Sequence, residues 1–171
     1  MTRNAFSHVK ALIVEDNHHM RVLLRSLLNT LGITHVYEAS DGAEAFALLR
    51  DRQPDLVLTD LTMEPIDGIN FVRELRQSPH SPNPYIPVVM VTGHTERRRV
   101  ETARDAGVTE FLAKPITAQN LIARITEVVE RPRAFVRSQT YFGPDRRRRA
   151  TENYVGPFRR TADREADMVE V

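Results

Sequence analysis

The chain has no cysteine among its 171 residues, which excludes disulfides and thiolate metal sites. Nowhere does an apolar run reach the roughly 18 to 20 residues needed to cross a bilayer. The opening Met1-Thr2-Arg3-Asn4-Ala5-Phe6-Ser7-His8 lacks the apolar core of a secretory signal. Lysine is scarce, 2 against 22 arginines, so an arginine at any one place is partly a habit of composition. What remains is the expectation of a cytoplasmic protein with room for one domain of typical size and an appendage.

Charge is unevenly placed. The formal net charge is +1, but residues 1–130 carry 14 Lys/Arg against 17 Asp/Glu, and residues 131–171 carry 10 against 6. An acidic body joined to a basic end implies that the end meets an anion or an acidic surface.

Up to about residue 130, strand-like and helix-like segments alternate five times. Apolar runs at Val9–Val14, Thr34–Tyr37, Asp55–Thr59, Val88–Val91 and Thr109–Leu112 read as strands. Between and after them lie stripes at helical spacing, such as Leu23, Leu24, Leu27, Leu28 and Leu31, or Leu121, Ile122, Ile125, Val128 and Val129. Asp41-Gly42-Ala43-Glu44 reads as a capping box, Asp67-Gly68 as a turn into the third helix and Thr117 as the cap of the last. Strands without strict polar alternation, separated by amphipathic helices, are buried on both faces. The fold class is therefore α/β, a flavodoxin-like (βα)5 doubly wound parallel sheet of order 2-1-3-4-5. The proline-rich connection Ser78–Pro87 reads as a surface insertion without a role.

In that strand order the first and third strands are neighbours, and the carboxyl ends of all the strands share one edge. Glu15-Asp16 follows the first strand, Asp60 ends the third and Lys114-Pro115 follows the fifth. Acidic pairs at strand ends commonly only cap the next helix, but three carboxylates and a lysine converging on one edge are expensive to desolvate unless a cation and an anion share the site. A divalent metal and a phosphoryl group are the simplest occupants. His18 and His19 stand close by, but hard oxygen donors argue against a histidine-bound metal.

With Met63 and Asp67-Gly68 downstream of Asp60 and Thr92 after the fourth strand, these motifs resemble the CheY-like receiver domain of two-component response regulators, over roughly residues 7–130. The resemblance implies that Asp60 is the phosphoacceptor, served by a cognate histidine kinase or phosphotransferase, and that the chain is a signalling protein rather than an enzyme. It implies that Glu15, Asp16, Asp60 and the backbone carbonyl of Thr62 bind Mg²⁺, that Thr92 contacts the phosphoryl group, and that Lys114, before a cis proline, pairs with it. Thr92 and Phe111 are then the switch residues. Two positions depart from the usual pattern. Glu64 stands where proline is common, and Phe111 stands where tyrosine often is.

From Pro132 the aliphatics thin out and charge rises, so residues 132–171 are expected to form a flexible, disordered tail beside a 1–131 receiver domain. A repeat lies within it: Tyr141-Phe142-Gly143-Pro144-Asp145-Arg146-Arg147 and Tyr154-Val155-Gly156-Pro157-Phe158-Arg159-Arg160, both Y-x-G-P-x-R-R. Tyrosines offer faces for stacking bases, and arginines match guanine O6 and N7 as well as phosphate. The tail resembles the arginine-rich extensions of the Cle subgroup, which bind cyclic di-GMP and act on flagellar motors. That resemblance implies a nucleotide site made by Tyr141, Arg146, Arg147, Arg148, Arg149, Tyr154, Arg159 and Arg160, with a flagellar motor protein as partner. Two other readings stay open here: a phosphorelay or phosphate-sink receiver with an inert tail, and a regulator that binds nucleic acid.

Overall fold

The computed structural model describes residues 5–93 and 97–146 and the backbone of 167–169. Five strands, β1 (Lys10–Val14), β2 (His35–Ala39), β3 (Leu56–Asp60), β4 (Val88–Thr92) and β5 (Glu110–Ala113), alternate with α1 (His18–Thr30), α2 (Gly42–Arg52), α3 (Gly68–Gln77), α4 (Arg97–Ala106) and α5 (Ala118–Glu130). The strands are all parallel in the order β2-β1-β3-β4-β5. This is the expected flavodoxin-like sheet.

Each face of the sheet carries its own core. Leu12, Val14, Val57, Val88 and Met90 pack with Phe71, Val72 and Leu75 of α3 and with Ala103 and Ala106 of α4. On the other face Ala11, Ile13, Leu58, Val89 and Val91 pack with Leu24 and Leu28 of α1 and with Leu121, Ile125 and Val128 of α5. Adjacent residues of one strand thus feed opposite cores, which is why β1, β3 and β4 read as continuous apolar runs.

Helix starts are where the sequence placed them. Asp41, Asp67 and Thr117 each sit at the N-cap in extended backbone and accept the amide of the third residue on: Glu44, Asn70 and Asn120. Glu44 returns its carboxylate to the Ser40 amide and hydroxyl rather than to the Asp41 amide, a capping box displaced by one residue.

The segment after α5 differs from the sequence expectation. Residues 132–146 are packed, not free: β6 (Phe135–Arg137) and β7 (Phe142–Pro144) form an antiparallel hairpin, and β8 (Asp167–Val169) pairs antiparallel with β6 on its other side. Phe135, Val136, Tyr141 and Phe142 are buried. Their partner is the proline-rich connection, which was expected to have no role. Tyr85 meets Phe135 and Phe142 edge to face, with ring centroids 5.2 and 5.4 Å away. Beneath them lies Arg76 of α3, whose guanidinium donates to the carbonyls of Gly107 and Pro84 and faces the Phe135 ring at 5.0 Å. Too few aliphatics for a core of its own is a sound reason for disorder only when no other apolar surface is offered, and here the body offers one. Residues 147–166 and 170–171 lie outside the described residues, so the expectation of disorder there is neither met nor overturned.

Candidate functional site at the carboxyl edge of the sheet

β1 and β3 are adjacent in parallel register, with Val14 opposite Thr59, so the residues that leave these two strands emerge side by side. The carboxylates of Glu15, Asp16 and Asp60 each bring an oxygen within 4.8 Å of the others. From β5 the ammonium of Lys114 reaches Asp60 Oδ1 at 3.2 Å. The same oxygen accepts the Leu61 amide at 2.9 Å. Thr92 closes β4, is buried, and accepts the Lys114 amide on its carbonyl at 2.9 Å. Thr62 is exposed two residues beyond Asp60, and Phe111 is half-buried against the core under α2, α3 and α4. Lys114–Pro115 is cis, as is Glu64–Pro65.

A close approach holds this edge together. Gly68 opens α3 with its amide on the Leu61 carbonyl at 3.0 Å, and a Cβ there would stand 2.0 Å from the Asp60 carbonyl oxygen. Only glycine fits.

The electrostatics favour a cation. Glu15 is buried, with Oε1 accepting the Asn17 amide at 3.0 Å and Oε2 buried without a hydrogen-bonding partner. Burial, opposed by that amide and reinforced by Asp60 and Asp16, pushes its carboxyl up to about 7. A buried carboxylate oxygen with no donor, among two other hard-oxygen ligands, fits a magnesium-type ion that keeps several waters. The site opens to solvent through a hollow of about 410 Å³ lined by Asp16, Asn17, His19, Met20 and Leu23 as well as Glu15, Asp60 and Lys114. A larger hollow, about 650 Å³, lies at the other end of the sheet between Tyr85, Pro87, Thr109, Pro132 and Phe135. It has none of these acids, so size does not mark the site here.

Of the nucleotide-site residues predicted from the repeat, the two that are described, Tyr141 and Arg146, do not join this cluster. Tyr141 is 6% exposed, donates its hydroxyl to the Pro144 carbonyl at 2.8 Å and is covered by the Arg146 guanidinium at 4.5 Å. Its ring is therefore not the open stacking face that was expected, because the hairpin folds it inward. Arg146 is paired with Asp105 of α4. Arg147, Arg148, Arg149, Tyr154, Arg159 and Arg160 lie outside the described residues.

Sequence reasoning passed over Arg21. Near the start of α1, its Nη1 donates to the carbonyls of both Glu15 and Asp16, at 2.7 and 3.2 Å. One arginine on a surface helix carries no signal that it turns back on the preceding loop.

Comparison with known proteins agrees with this geometry. The family model of the response regulator receiver domain matches residues 11–126. The chain belongs to that family. Receiver domains of this kind are signalling proteins rather than enzymes, bind Mg²⁺ through an acidic cluster and receive their phosphoryl group from a histidine kinase or phosphotransferase. Among curated relatives, the chemotaxis protein CheY of Pseudomonas aeruginosa is 37% identical over 123 residues, covering 72% of this chain and 98% of its own length. The transcriptional regulatory protein PdtaR of Mycobacterium tuberculosis is 37% identical over 122 residues, 71% of this chain and 57% of its own. Among solved structures, Vibrio cholerae CheY4 superposes with a TM-score of 0.65 at 27% identity, over 71% of this chain and 98% of that one. No helix among the described residues is long and apolar enough to cross a membrane.

Proposed function

We propose that this receiver is phosphorylated on Asp60 with Mg²⁺ held by Glu15, Asp16, Asp60 and the backbone carbonyl of Thr62. The observation that carries this reading is the convergence of three carboxylates within 4.8 Å with Lys114 on Asp60 Oδ1. Because Oδ1 is taken up by Lys114 and the Leu61 amide, Oδ2 is the attacking oxygen. It bonds to phosphorus as the bond from phosphorus to the donor's imidazole nitrogen breaks, and the electron pair of that bond stays on the ring, which leaves as neutral imidazole with the hydrogen already on its other nitrogen. Glu15, Asp16 and Asp60 would hold a cation that, when bound, would offset the charge gathering on the phosphoryl oxygens. Lys114 does the same from the β5 side, and the Thr92 hydroxyl donates to a phosphoryl oxygen. Phe111, without a hydroxyl of its own, responds through packing alone.

A protein donor has a surface to land on. Val22 and Leu23 on α1 are 50% and 42% exposed, and Ile66 in the loop after β3 is 40% exposed. Leu23 also lines the hollow over Asp60. A small phosphodonor such as acetyl phosphate with Mg²⁺ should label wild type and not Asp60→Asn. Equal labelling of that variant would overturn the assignment.

The Y-x-G-P-x-R-R repeat supports a second, finer reading, in which the arginine-rich extension binds cyclic di-GMP and so directs the receiver to a partner such as a flagellar motor protein. In this reading Arg147, Arg148, Arg149, Arg159 and Arg160 grip guanine and phosphate, and Tyr154 supplies a stacking face. Tyr141 and Arg146 join them only when the hairpin releases them. Calorimetry with cyclic di-GMP tests it, comparing the full chain with one cut after Arg146 so that the hairpin is kept. Equal heats would remove the extension as the site.

A further inference from the structure

The loop between β1 and α1 has a difficult task. It must turn two successive carboxylates, Glu15 and Asp16, toward one point already occupied by Asp60, where all three repel. A short loop left to itself would relax by rotating a peptide plane and swinging one acid away. The Glu15 amide is fixed to the Ala39 carbonyl at 3.0 Å, and the Asn17 side chain is committed to capping α1. The carbonyls of Glu15 and Asp16 have another partner. One nitrogen of Arg21 donates to both.

The guanidinium is itself held. Arg21 Nε lies 3.8 Å from Glu38 Oε1 on β2, with only 17% of the Arg21 side chain exposed. The other oxygen of Glu38 accepts Arg25 Nε at 2.8 Å, and Arg25 donates on to the Val36 carbonyl at 2.9 Å. A chain of contacts thus runs from β2 through Glu38 to Arg21 and ends on the two peptide planes that aim the acids. The nitrogen that Arg21 turns toward the loop goes to the carbonyls of Glu15 and Asp16 and not to their carboxylates.

We propose that Arg21 is a positioning residue for the metal site, presenting Glu15 and Asp16 as a preformed pair of Mg²⁺ ligands. The proposal rests on the metal reading above. A planar fork is required, because a lysine ammonium keeps the charge but cannot bridge two carbonyls while reaching Glu38. Residues that orient metal ligands typically change affinity about 10- to 100-fold when removed.

The test is calorimetric titration of the full chain with MgCl₂, alongside thermal unfolding followed by circular dichroism. Arg21→Ala and Arg21→Lys should each weaken Mg²⁺ about tenfold or more. Arg25→Ala breaks the same ion-pair network without touching either carbonyl, so it should shift the melting temperature but leave Mg²⁺ affinity within about twofold. If Arg21→Ala does not fold, Arg21→Lys against Arg25→Ala carries the comparison. Wild-type affinity in Arg21→Lys would reduce the role to bare charge and overturn the proposal, as would equal weakening by Arg25→Ala. A wild type that takes up no Mg²⁺ would overturn the metal reading and the proposal with it.

Discussion

Tyr85, at the end of the proline-rich connection, meets Phe135 of the C-terminal hairpin edge to face with ring centroids 5.2 Å apart. Fifty residues of sequence separate them, and the contact makes the connection a dock. Aromatic pairs add roughly 0.5–1.5 kcal/mol each beyond area burial, and Tyr85 makes two. Tyr85→Ala should therefore loosen the hairpin by about 1–3 kcal/mol. Hydrogen exchange should quicken at 135–144 while amides in β1, β3 and β4 stay protected. Unchanged protection of the hairpin would show that Arg76 and the Asp105–Arg146 pair hold it without Tyr85.

Gly68 predicts a sharper loss. A Cβ there would lie 2.0 Å from the Asp60 carbonyl oxygen and 3.2 Å from the Leu61 Cα, both backbone, so no side chain can swing aside. Gly68→Ala should cost at least the ~1–3 kcal/mol usual for overpacking, since relief requires moving the strand end that carries Asp60. Its melting temperature and its labelling by acetyl phosphate should fall together. Gly93→Ala is the contrast: among the described residues its Cβ would find only the Lys114 side chain at 3.8 Å, and stability should hold.

The body of the molecule was legible because its signals are redundant. Val14, Asp60 and Thr92 sit at strand ends where apolar runs stop, and Asp41, Asp67 and Thr117 mark helix starts with side chains that do the capping. The acidic site followed, since strand order alone places Glu15 beside Asp60. The hairpin was not legible. Its strands are three residues long, too short for a two-residue period to declare itself, and its partner surface is a loop. Arg76 gave no sign either. On a helix next to Glu74 and Gln77 it reads as solvated, yet it is 3% exposed, and burial lowers its guanidinium to about 9.

Glu15 sets a pH dependence with a definite sign. With its folded carboxyl near 7 against an ordinary 4.5, the metal-free fold holds a proton in that window that the unfolded chain has released. Stability of the metal-free protein should therefore fall as pH rises from about 4.5 to 7. Mg²⁺ binds the deprotonated form, so its affinity should rise over the same window and level off above it. Melting curves from pH 5 to 8, with chelator and with Mg²⁺, check both slopes. Glu15→Gln should flatten them, and a wild type flat in chelator would place the Glu15 carboxyl near its ordinary value.

The exposed apolar residues near the hollow separate a protein donor from a small one. Leu23 is 42% exposed and lines the hollow over Asp60. Leu23→Asp should slow phosphotransfer from the cognate kinase or phosphotransferase about tenfold or more, the loss of one interface contact of at least 1.4 kcal/mol. Labelling by acetyl phosphate should stay unchanged. Slowing with both donors would mean that the added carboxylate disturbs the Asp60 site itself.

Substitutions within the repeat decide whether the extension reads guanine or merely charge. Each good arginine–guanine pair contributes roughly 1–3 kcal/mol of discrimination, so Arg147→Ala and Arg160→Ala should each weaken cyclic di-GMP about tenfold or more. Arg147→Lys and Arg160→Lys should fail nearly as badly, because an ammonium keeps the charge without the planar fork. Tyr141→Phe isolates a further element. It removes the hydroxyl donated to Pro144 while keeping the ring under Arg146, so it should loosen the hairpin turn and leave guanine selectivity intact. A basic patch behaves differently: lysine variants bind as well as wild type, cyclic di-AMP competes equally, and affinity collapses steeply with salt. That outcome would leave the extension without a guanine-reading site and remove cyclic di-GMP as its ligand.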